Sequence, residues 1–119
     1  MNSLVGKTIE MTVKHMSQAA SGGSYVVHYT AEILITVDKQ IDVSVDAVVP
    51  NNADARDIEA ARKAINDGCV EVLSAKSLGA RVSVRRLIVH PVDFKPARFA
   101  YWTAIDLEQC LDELSVSGE

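Results

Sequence analysis

The chain has 119 residues, 48% of them hydrophobic and 24% charged, with a formal net charge of −4. That size and balance suit one globular domain with one core. They exclude a membrane-spanning segment, since no apolar run reaches the roughly 18 residues needed, and the negative balance argues against nucleic acid as a default partner.

Residues 1–7 lack the apolar run of an export signal. Cys69 and Cys110 each fall inside an apolar helical pattern, and there is no CxxC. Both read as small core residues of a chain in a reducing cytoplasm, and the domain is expected to fold without disulfide or metal.

In chain order, Thr8 to Lys14 alternates with period two, with Ile9, Met11 and Val13 on one side, which predicts a half-buried strand. Gln18 to Ser24 is small and polar and holds Gly22-Gly23, a loop. Tyr25 to Val37 is rich in β-branched and aromatic residues and predicts a long strand. After a turn at Asp38-Lys39, Gln40 to Val49 alternates again, with Ile41, Val43, Val45 and Ala47 inward and Pro50 as the stop.

Asp54 is a suitable N-cap for a helix, with Asp57 in its first turn. The stripe Ile58, Ala61, Ile65, Cys69, Val72 and Leu73 predicts its buried side. Gly68 lies within it and weakens it by about 1 kcal/mol relative to Ala. Ala80 to Val89 is a fourth strand, halted by His90-Pro91. Pro96 opens a second helix with Phe99, Thr103, Leu107, Cys110, Leu111 and Leu114 on one side. The expected class is α+β, in the order βββαβα, a four-stranded sheet with both helices on one face.

Charge is uneven. Lys76, Arg81, Arg85, Arg86, Lys95 and Arg98 face only Asp93 over residues 76–98, whereas the tail holds Asp106, Glu108, Asp112, Glu113 and Glu119. Strict alternation puts Arg81, Ser83 and Arg85 on one strand face and Arg86 with His90 on the other. These cations, with Lys95 and Arg98, are candidates for phosphate contact, and Tyr25 and Phe94 for base stacking. The plainer alternative is a solvated surface whose arginines pair with carboxylates and whose aromatics are core.

No catalytic constellation is visible. The three histidines, His15, His28 and His90, lack i, i+4 helical spacing, and His90 at its turn is the best of them for ligand contact. Asp42 and Asp46 share a strand face but stand about 13 Å apart, too far to flank one bond. No serine sits in a G-x-S-x-G elbow. A binding module is expected rather than an enzyme, with no cofactor.

Four pieces in this order resemble the fourth domain of translation elongation factor G. They are QAASGGSY (18–25), the helix IEAARKAINDGCVEVL (58–73), the strand and turn RVSVRRLIVHPVD (81–93), and Phe99 to Ala104 at the start of the last helix. The resemblance covers residues 12 to 112. It implies a ribosomal-protein-domain-like fold with a left-handed βαβ crossover, against the usual preference. It also implies a tip, formed by the glycine loop and the histidine turn, that reaches ribosomal RNA. By position that tip comprises Ser21, Gly22, Gly23, Ser24, His90, Pro91 and Asp93, next to Arg85, Arg86 and Lys95.

The chain departs from the family in three places. Its glycine loop has no arginine, Pro91 follows the histidine, and Phe94-Lys95 stands where the family has serines. No GxxxxGK[ST] loop occurs, so GTP is not an expected ligand. The expected partner is RNA or a ribosomal surface, through a stand-alone domain of this kind. The alternative is a protein–protein or homo-oligomeric module, suggested by open sheet edges and by Tyr101-Trp102. A small enzyme with an unseen site is the third reading.

Overall fold

The computed structural model describes residues 4–18 and 23–117. Seven elements follow in order: β1 (Thr8–Ser17), β2 (Tyr25–Thr36), β3 (Ile41–Val45), β4 (Val48–Val49), α1 (Ala55–Ser74), β5 (Gly79–Ile88) and α2 (Pro96–Ser117). The chain is α+β, with a mixed sheet ordered β1-β2-β5-β3 and β4 also on β5. β1 and β2 are antiparallel, as are β2 and β5, while β3 and β4 run parallel to β5.

The sheet has five strands where the alternation predicts four, because the segment 40–49 is interrupted. Asp46 and Ala47 leave the ladder and are exposed. β3 and β4 nevertheless keep one register, Val45 opposite Val84 and Val48 opposite Leu87. The backbone bridges the gap through Asp46 N–H to Val84 O at 2.8 Å and Leu87 N–H to Ala47 O at 2.9 Å.

Facing this interruption, the β2–β5 register slips. Thr30 pairs with Arg86 but Ala31 pairs with Val84, so Arg85 is the extra residue of a β-bulge. Strict alternation therefore fails at this point. Val82, Val84, Leu87 and Val89 are buried, while Arg85 and Arg86 are both exposed. The sequence expectation that Arg85 and Arg86 lie on opposite faces is corrected, since the inserted residue turns the strand by one step.

One sheet face is covered. Ile9, Met11 and Val13 from β1, Val27, Tyr29, Ala31, Ile33 and Ile35 from β2, and the inward β5 residues join Ala61, Ile65, Cys69 and Leu73 of α1 and Phe99, Leu107 and Leu111 of α2 in one core. Asp54 caps α1, its carboxylate accepting from the Arg56 N–H at 2.8 Å. Burial pushes the Cys69 thiol up to about 12, consistent with an inert core residue. The Tyr29 hydroxyl is buried but meets Thr103 Oγ1 at 2.6 Å, so a polar pair joins β2 to α2 inside the core.

Gly68 has a role that helix propensity does not show. A Cβ there would stand 2.7 Å from Ala100 O and 2.8 Å from Thr103 Cβ, so α1 and α2 approach too closely for any side chain. Gly68→Ala should gain about 1 kcal/mol of helix propensity yet lose more to overpacking, typically about 1–3 kcal/mol. The net change is a lower midpoint in urea denaturation, with no change expected from Ala60→Gly beyond propensity.

Candidate nucleic-acid interface

Two segments meet at one end of the β2–β5 pair. Val26 N–H donates to Asp93 O at 2.9 Å, and Ser24 Oγ donates to Asp93 Oδ1 at 2.9 Å. His90 Nδ1 accepts from the Asp93 N–H at 3.0 Å and the Val92 N–H at 3.2 Å. These bonds fold residues 90–93 around the imidazole and fix the turn against the end of the glycine loop. With Nδ1 an acceptor, the proton of the neutral ring is on Nε2, free to donate elsewhere. Ser24, His90 and Asp93 thus come together as expected, with exposed Gly23 beside them. Ser21 and Gly22 lie outside the described residues.

The cations divide into two groups. Arg85 is occupied, with Nη2 2.7 Å from Glu32 Oε1 and Nη1 3.6 Å from Asp46 Oδ2. The shallow depression beside it, about 420 Å³ and bordered by Glu10, Glu32 and Arg85, holds two carboxylates for one guanidinium and disfavours an anion. For Arg85 the geometry matches the plainer alternative of the sequence analysis, an arginine paired with carboxylates.

Arg86 differs. It pairs in register with Thr30, next to His28 opposite Ile88, and His28 in turn lies opposite Lys14 of β1. Lys14 and His28 are therefore cross-strand partners on the uncovered face, and Arg86, opposite Thr30, lies diagonally across from His28, so the three form a slanted basic row. Neither Lys14 nor Arg86 forms an ion pair with any described carboxylate. Partial burial, then the charges of Lys14 and Arg86, hold the His28 ring below its ordinary value. His90 lies four residues past Arg86 on the same strand line, about 13 Å away. Lys95, half-buried, follows the turn without a salt bridge among the described residues.

The sequence does not single out Lys14 and His28 as a pair, because cross-strand register is not written in either strand alone. The alternation does put Lys14 on the polar side, the one available signal.

The aromatic candidates are used otherwise. Phe94 packs on Phe99, ring centroids 5.4 Å apart. Tyr25 lies under the Arg98 guanidinium at 4.8 Å, and its hydroxyl accepts from Trp102 Nε1 at 3.2 Å. Trp102 stacks on His15 at 3.7 Å, and His15 Nε2 donates to Asp106 Oδ2 at 2.8 Å. This chain of contacts fastens α2 to β1 on the covered face.

No family model and no curated protein matches the chain. Among solved structures, it is similar to the crystal structure of a Thermus thermophilus protein designated ttk003000868, with a TM-score of 0.57 and 13% identity over 92% of this chain. The chain spans 16% of that protein's length. The likeness is one of fold.

The turn geometry carries a prediction. His90→Ala removes the acceptor for two backbone N–H groups, so the Val92 and Asp93 amides should exchange at least about tenfold faster in hydrogen-exchange NMR, while core amides such as Val84 stay protected.

Proposed function

We propose that this chain is a non-enzymatic binding module, related to the fourth domain of elongation factor G, that contacts RNA or a ribosomal surface through the tip and the adjoining open face. The contacting residues are Gly23, Ser24, His28, Arg86, His90 and Lys95, with Lys14 at the margin. The observation that carries the reading is the slanted row Lys14–His28–Arg86, whose Lys14 and Arg86 have no ion pair among the described residues, near a turn braced by His90.

Cations without carboxylate partners are the groups from which phosphates displace only water and salt ions. In this reading Asp93 and Ser24 hold the loops in position, and the Nε2–H of His90 is a donor for a phosphate or base edge. The net charge of −4 keeps non-specific attraction low, so contact depends on the local row and on shape.

The test is binding of structured RNA and of ribosomes, followed by fluorescence anisotropy across a salt series. Affinity should fall steeply with salt. Arg86→Ala should weaken binding about three- to tenfold and lower the salt slope by about one phosphate contact, whereas Arg85→Ala should change it less than twofold. Equal losses for the two variants, or no binding at low salt, would remove the proposal.

A further inference from the structure

β1 is a long free edge of the sheet, and its charges are arranged to be met by a copy of itself. The β1–β2 register puts Lys7 opposite Ile35, and the Ile35 N–H donates to Lys7 O at 3.0 Å. Odd-numbered β1 residues therefore spend their backbone groups on β2. The N–H and C=O of Thr8, Glu10, Thr12, Lys14 and Met16 point away from the sheet along its edge, with no neighbouring strand among the described residues.

The side chains of these residues lie on the uncovered face. Glu10 stands directly opposite Glu32 in the ladder, a like-charge pair, and Glu10 has no ion pair among the described residues. Lys14 stands opposite His28, beside Arg86. The edge thus has an excess of negative charge at residue 10 and of positive charge at residue 14, with Thr12 midway.

We infer that β1 pairs antiparallel with β1 of a second copy of this chain, about a two-fold axis through Thr12, to form a continuous sheet. In that register Glu10 of each copy faces Lys14 of the other, twice, and Thr12 faces Thr12. On the covered side Met11 faces Val13 and Ile9 faces His15. The outward backbone groups of residues 10, 12 and 14 are those that an antiparallel pair on this axis must bond.

Neighbouring two-fold registers do worse. An axis through Glu10 sets Glu10 on Glu10, and one through Lys14 sets Lys14 on Lys14. Axes through Met11 or Val13 leave both charges against uncharged residues. Only the Thr12 axis neutralises both ends. Lys14 belongs to this edge and to the margin of the basic row, so polyanion binding at Lys14 and self-pairing compete. The pairing itself rests on the edge geometry and not on the RNA reading.

The experiment is sedimentation equilibrium without nucleic acid, over a concentration series. The mass should rise from 12.9 kDa toward twice that value. Glu10→Lys or Lys14→Glu alone should raise the dimer dissociation constant about tenfold or more, and the double exchange Glu10→Lys with Lys14→Glu should restore it. Thr12→Pro, which removes an outward N–H and leaves the β1–β2 bonds intact, should give a folded monomer by circular dichroism. A wild-type chain that stays monomeric to millimolar concentration overturns the inference. So does a dimer indifferent to either single exchange, or one not restored by the double exchange.

Discussion

The pairing of β2 with β5, and the one-residue slip within it at Arg85, is the constraint on which the surface of this protein depends. Before the slip, the ladder points Arg81 and Ser83 outward. After it, the ladder points Arg86, Ile88 and His90 outward, because Arg85 is inserted without a partner. Without the bulge, Arg86 would enter the core and Leu87 would be expelled from it. The parallel edge accommodates the same step, breaking at Asp46-Ala47 where β5 bulges, and Asp46 is thereby free to meet Arg85. The interruption and the bulge thus pair one arginine with carboxylates and leave its neighbour without an ion pair among the described residues.

The covered face follows from the same pairing. With the inward positions of β1, β2 and β5 mostly apolar, the two helices have one surface to bury against. Gly68 lets them cross closely enough to share it. The polar contacts on that side act as fasteners: Tyr29 to Thr103 in the core, and His15 to Trp102 and Asp106 near the margin. The histidine used there is one whose sequence context gives no hint of a structural task. On the open face, acid and base are separated along the strands, with Glu10, Glu32 and Asp46 toward one end and Lys14, His28 and Arg86 toward the other.

Much of the fold is legible in the sequence because it rests on periodicity. β1, β2, both helices and the Asp54 cap follow directly from apolar spacing and one capping side chain. The class α+β and the helices on one face follow from the order. The bulge is not legible, since Arg85-Arg86 reads as ordinary alternation until the hydrophobic residues on both sides are counted. Val82, Val84, Leu87 and Val89 do carry the phase change, as a gap of three between Val84 and Leu87, and that gap is the usable signal. Cross-strand neighbours such as Lys14 and His28 depend on register, which no single strand encodes. That Ser24 lies with His90 and Asp93 follows the order of the motifs, whereas the hydrogen bonds that join them are not legible in it.

The most direct measurement is the NMR titration of the His28 imidazole with and without structured RNA. Partial burial and the nearby Lys14 and Arg86 charges hold this ring below its ordinary 6.5, so its protonation opposes folding as pH falls below that value, the unfolded chain taking up the proton first. A phosphate bound at the row offsets both cations and favours the imidazolium. RNA is expected to raise the His28 value, with affinity increasing as pH is lowered from the RNA-bound value toward that of the free protein. RNA that binds while leaving the His28 titration unmoved, or RNA that does not bind, would contradict it.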